Sequence, residues 1–313
     1  MPDVIGLLQA VAAAALTAVV VCLLSALARK RRPRLAAAGT VLGVGLGFAA
    51  GCACLGVRPH LPPREDQDRL LLILLPAALL VEVVAVGIGR WAWLLRGGIA
   101  AAAAGILLFG SVYLTDLAGP GSREWPPQQA ALILGALAAG LLAVWAALTV
   151  LVSRARERTI PLALALCCGG AALTVMLSGY ASGGQLGVPL AAAVCGVLLA
   201  SLVVSEPMDF TGATGFAVVG LFALLVIGRF FGQLTSIHAV ALFLAPLACW
   251  LPELAPVERL RPGLRGFARL VLAAVPIFLV VAAAHQKFIA ATVPPSQAAT
   301  QEGSIEDYMN FGK

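Results

Sequence analysis

Glu82 is the side chain best placed for chemistry, as the one acidic residue inside any long apolar stretch of the sequence. A carboxylate in hydrocarbon is costly, so such a group is kept neutral, paired, or used on a proton or a substrate. Pro76 lies six residues earlier. It has no N–H for the carbonyl of Leu72 and is expected to kink the helix there. A kink beside a protonatable group suits a proton-coupled carrier, so Glu82 and Pro76 make the candidate intramembrane proton or substrate site. The structural alternatives are a neutral Glu82 bonded to a neighbouring helix, and an ion pair with a basic side chain near the inner surface.

A second polar group falls toward the opposite ends of the helices: Asp116, Tyr180, Gln185, Arg229 and His238. Together they read as a candidate vestibule open to the outside, although an interfacial aromatic belt accounts for a tyrosine there without function. The three histidines, His60, His238 and His285, fall near that same face, as do Glu65, Asp66 and Asp68. Imidazole and carboxylate suit several metals. No His-x-x-x-His or His-x-x-Glu spacing accompanies them, and no metal site is assigned. All seven cysteines lie in apolar stretches and read as small packing residues. No nucleophile stands with a base and an orienting group, which argues against an enzyme. The sequence implies no cofactor.

The elements that must position these residues follow from composition. Of 313 residues 61% are hydrophobic and 12% charged, against about 25% charged in soluble domains. Ten stretches are long enough to cross a hydrocarbon core of about 30 Å as helices. They run at 4–28, 35–57, 70–89, 97–115, 130–152, 160–180, 187–204, 211–228, 234–251 and 270–288. Backbone polar groups go unpaired in lipid at great cost, so each should be helical. The expected fold is all-α: a polytopic transmembrane helix bundle over residues 1–288, with a polar, disordered outer tail over 289–313.

Basic residues orient it. Fourteen of the 21 Lys and Arg fall in alternate loops around Arg29–Arg34, Arg90–Arg96, Arg154–Arg158 and Arg259–Arg269, and acidic residues lean to the opposite loops. Those basic loops should face the cytoplasm, with both termini outside. The net charge of +6 is thereby a topology signal, not a nucleic-acid footprint. One inner loop, Ser205 to Phe210, carries Glu206 and Asp209 without a basic residue; either the loop is simply short, or the two pair with arginines of the neighbouring inner loops. Arginine outnumbers lysine eighteen to three, a usage that suits a bacterial cytoplasmic membrane.

Gly39, Gly43, Gly47 and Gly51 are spaced by four and lie along one face of the second span. Such a face lets another helix approach backbone to backbone, as packing within the bundle, a homo-oligomer seam or a sliding contact. Two functions compete on these grounds. One is a small-molecule transporter or permease-like carrier, for which two five-span halves would have inverted topology. The other is a non-catalytic scaffold or subunit that docks a membrane-protein partner. The lipid bilayer is a partner in both.

Overall fold

The computed structural model describes residues 4–28, 33–155, 158–204, 208–253 and 262–292. The expected tail beyond Thr292, and the charged positions Arg29, Arg156, Glu206 and Arg259, lie outside the described residues. Among the described residues every regular element is a helix and there is no strand. The α-helices are α1 Val4–Leu27, α2 Pro33–Cys54, α3 Asp66–Arg69, α4 Leu75–Ile88, α5 Ala92–Leu108, α6 Pro127–Ala155, α7 Thr159–Leu177, α8 Ala181–Gln185, α9 Gly187–Val203, α10 Thr211–Phe230, α11 Ser236–Leu244 and α12 Pro262–Thr292.

Eight helical runs are long and apolar enough to cross a membrane, counting Asp66–Leu108 as one, and Ala38–Cys54 is a shorter apolar run. The 43-residue run is not straight. Gly89 has φ +56°, a region that glycine enters without the Cβ penalty, and α4 there turns through a 3₁₀ stretch, Gly89–Trp91, into α5. Residues 82 and 96 come into hydrogen-bond contact across the turn, whereas fourteen residues of continuous helix would separate them by about 21 Å. The run is a helical hairpin.

Pro76 is accommodated without a break. A π turn over Leu70–Leu74 precedes it, with the Leu75 N–H reaching back five residues to the Leu70 carbonyl, and the helix then continues to Ile88. A π turn regroups the carbonyls next to a residue that has no N–H to offer, and such turns recur at working parts of helices. Two expected boundaries shift. The fourth stretch ends as helix at Leu108, which leaves Tyr113, Thr115 and Asp116 beyond the helix in irregular backbone. The ninth is α11 followed by a 3₁₀ stretch over Ala245–Glu253 with Pro252 inside it.

α10 is the axis of the bundle. Every residue from Gly212 to Gly228 is buried, and α2, α4, α5, α6, α7, α9 and α11 pack around it. Outward-facing side chains such as Leu16, Leu80, Leu132 and Leu202 are at least 60% exposed, a surface compatible with a surrounding membrane. To one side, α2 packs on α1 and α9 through small residues. A Cβ at Gly47 would meet the Ala14 carbonyl at 2.6 Å, one at Gly43 the Cys22 sulfur at 2.7 Å, and one at Gly51 Pro189 at 2.6 Å. The facing stripe on α1 is Ala10, Ala14, Ala18 and Cys22, all fully buried. Without a hydrophobic force between helices in lipid, such close backbone approach supplies the cohesion.

Candidate functional site

Glu82 lies on the buried face of α4 and meets Arg96 of α5. Arg96 donates from Nε to Oε1 and from Nη2 to Oε2, both at 2.8 Å. The geometry is the parallel two-bond fork that makes arginine–carboxylate pairs strong. Side-chain exposure is 6% for Arg96 and 0% for Glu82, so the charges answer each other rather than water. The guanidinium carbon stands 4.7 Å from the Trp93 ring centre and 5.8 Å from that of Trp145. Those ring faces hold the cation where hydration is missing.

Two glycines of α10 make room for the carboxylate. A Cβ at Gly215 would overlap Glu82 Oε1 and come within 2.7 Å of Trp145 Nε1; one at Gly212 would stand 3.3 Å from Oε2 and overlap Val41. The ion pair therefore joins α4, α5, α6 and α10 at one level. The Trp145 indole N–H also faces the Glu82 carboxylate, and two buried hydroxyls on α6 and α10, those of Thr149 and Thr214, have no hydrogen-bond partner among the described residues. Thr149 is one turn beyond Trp145 on α6, and Thr214 adjoins Gly215. Buried polar groups are nearly always bonded, so these two hydroxyls are unusual on the helices that wall the pair.

Arg96 is the residue that the charge pattern misassigned. Read as a loop cation, it is four residues inside α5 and buried. Symmetry about the turn could have found it, since Glu82 and Arg96 each stand seven residues from Gly89. Arg269 differs from expectation in the same way: it is fully buried within α12, with Glu253 and Thr159 among its partners. Asp209, for which an arginine of a neighbouring loop is one of two readings, accepts the Thr211 N–H at the start of α10, and its carbonyl accepts the Thr40 hydroxyl at 2.6 Å. A residue just before a helix satisfies one of the free N–H groups of its first turn more cheaply than it recruits a distant cation.

The five vestibule residues occupy separate surroundings. Asp116 accepts the Arg123 N–H within an exposed loop. The Tyr180 hydroxyl donates to Asp66 at 2.9 Å and accepts from Gln67, which also donates to Ser182; burial pushes the Tyr180 phenol up to about 12. Gln185 closes α8. The His238 backbone N–H bonds the Thr235 hydroxyl that caps α11. Arg229 alone of the five lines a cleft of about 360 Å³ between α6, α10 and α11. Nearby, Asp68 gathers the N–H groups of His60, Arg64 and Glu65. That use as a loop clasp was not foreseen. His60 Nδ1 lies 3.5 Å from the same carboxylate.

The glycines of α2 face α1 and α9, within the chain. All seven cysteines are free thiols, and Cys54 is exposed. No protein-family model, curated protein or solved structure matches the chain.

Proposed function

We propose that the chain is a multi-pass membrane carrier for small molecules in which the Glu82–Arg96 pair is the latch. One observation carries this reading: an enclosed, two-bond ion pair set against the glycine-cut wall of α10. A proton or a cation taken up by Glu82 cancels its attraction for Arg96, and a guanidinium without its carboxylate has to find a new anion or leave. Either event frees α4 from α5, so that the two arms of the hairpin can shift separately against α10. The π turn before Pro76 supplies a place for α4 to bend as it does so.

In this reading the chain crosses ten times in a bacterial cytoplasmic membrane, with its termini outside. The Gly89 turn and the ends of α6 and α7 bearing Arg154 and Arg158 then face the cytoplasm. Cysteine tagging in a cysteine-free background tests the orientation. Reagent added outside should label positions in 116–129, and should label Arg156→Cys only after permeabilisation. Outside labelling at position 156 would reverse the assignment.

The carrier reading is tested in vesicles holding a pH-sensitive dye, with a proton gradient imposed across them. The parent protein should speed collapse of the gradient over empty vesicles, and Glu82→Gln should abolish the difference. Equal collapse with parent and variant would end the proton-coupled reading.

α12 favours the subunit reading as the rival. It packs on α7, α11 and the 245–253 turn, while Phe267, Val271, Val275, Phe278 and Leu279 form an exposed stripe. A stoichiometric partner retained in mild detergent, with no proton flux, would select it.

A further inference from the structure

The cleft at Arg229 lies at the other end of α10 from the ion pair, about 21 Å from Gly215 at 1.5 Å per residue, and owes nothing to the carrier reading. α6 and α11 both flank α10, and the cleft is the gap between them. Its walls are apolar: Leu137 of α6, Leu225 of α10 and Val240 of α11 are among its lining residues. The ring pair Phe222 and Phe243, 5.6 Å apart and edge to face, closes its inner end. From Arg229 to Phe222 the slot runs about 10 Å along α10.

Its mouth is of a different kind. Arg229 donates from Nε to Ser236 Oγ at 2.7 Å and lies over the Phe230 ring. That orients the guanidinium but leaves both terminal amino groups without a carboxylate among the described residues. No acidic side chain lines the cleft, and Glu124, next to the lining residue Trp125, is exposed and outside the lining set. Trp125 packs against Tyr113, tilted, and Phe230, edge to face, at centroid distances of 4.8 and 5.4 Å, and the Tyr113 hydroxyl donates to the Phe230 carbonyl. Aromatic residues so clustered mark the level of the membrane–water boundary. A cation with free donors at that level, above a narrow apolar slot of a size that holds small ligands, matches one molecule: an amphiphile with its charge at the boundary and its chain in hydrocarbon.

We propose that this cleft binds an anionic phospholipid of the adjacent leaflet, with its phosphate on Arg229 and Ser236 and an acyl chain between α6 and α11. Arginine is suited to this because its fork bonds two phosphate oxygens at once.

Native mass spectrometry of the full-length protein in non-ionic detergent provides the test, with phosphatidylglycerol and phosphatidylcholine of the same chains as probes. Phosphatidylglycerol should bind about tenfold more tightly, because the ammonium of phosphatidylcholine competes with Arg229 for its phosphate. Arg229→Gln should weaken both lipids, phosphatidylglycerol by more, and so remove the preference. Val240→Trp fills the slot and should weaken both. Arg229→Lys keeps the charge and should retain part of the preference, which covers the case of a poorly folding Gln variant. Equal binding of the two lipids by the parent, or a preference undiminished in Arg229→Gln, overturns the proposal. Glycerol 3-phosphate alone should not bind; if it binds as tightly as the lipid, the site is one for soluble anions and the lipid assignment falls.

Discussion

Glu82→Gln should lower the stability of the detergent-solubilised protein by about 3–5 kcal/mol, because it leaves the Arg96 charge buried without its counter-charge. The amide keeps the size and one acceptor of the carboxylate, so lost packing contributes little. Arg96→Gln should cost a similar amount by stranding the carboxylate against α10. The double variant Glu82→Leu/Arg96→Met should recover most of the loss, since an apolar pair of comparable volume often replaces a buried ion pair without penalty. Thermal unfolding of the two single variants, the double variant and the parent measures the coupling directly. A Glu82→Gln protein as stable as the parent would mean that the carboxylate is not ionised, and the latch would lose its basis. Stability and flux together separate roles: a destabilised variant of a protein with no flux describes a structural rivet, not a gate.

Gly47→Leu and Gly196→Leu should be nearly as damaging. A side chain at Gly47 meets the Ala14 carbonyl at 2.6 Å, and one at Gly196 meets both the carbonyl and Cα of Ala15. Backbone cannot swing aside as a side-chain tip does, so α1 must shift, at a cost of about 1–3 kcal/mol or more. Gly45→Leu should be milder, because its obstacle is the mobile end of Leu79, and Gly87→Leu should be close to neutral, with nothing within 4 Å. Folded yield by size-exclusion chromatography ranks the four. A similar loss at Gly87 would mean that glycine helps these helices through the backbone rather than through contact.

Hydropathy was enough to locate the apolar helices, because lipid demands long uncharged runs with their backbones internally bonded. It could not say which charges belong to loops. Arg96 and Arg269 look like their neighbours in the basic clusters, and only a partner across a turn or a loop draws each into the interior. Glu82 stood out because it has no basic neighbour within its own helix. The glycines of α2 were visible by their spacing, yet the stripe Ala10, Ala14 and Ala18 was not, because alanine surrounds it on every side of α1. Gly196 was hidden for a related reason: its companions at four-residue spacing on α9 are Ala192 and Ala200 rather than further glycines. The gap at Arg229 depends on how two helices splay around a third, and no local pattern encodes that.

The burial of α10 on every side bears on how the chain is assembled during synthesis. Domains and segments form in the order in which they leave the ribosome. Of the helices that enclose α10, only α11 is made after it. Its slot is therefore walled before it arrives, by α2 and α9 on one flank and by α4, α5 and α6 on another. Until then Glu82 and Arg96 have each other but not the glycine face that roofs them. Insertion of α10 seals the pair, and α11 closes the last opening. A nascent chain stalled with residues up to Val204 outside the ribosome should expose Glu82 to a water-borne carboxyl reagent, and one stalled with residues up to Glu253 outside it should protect it.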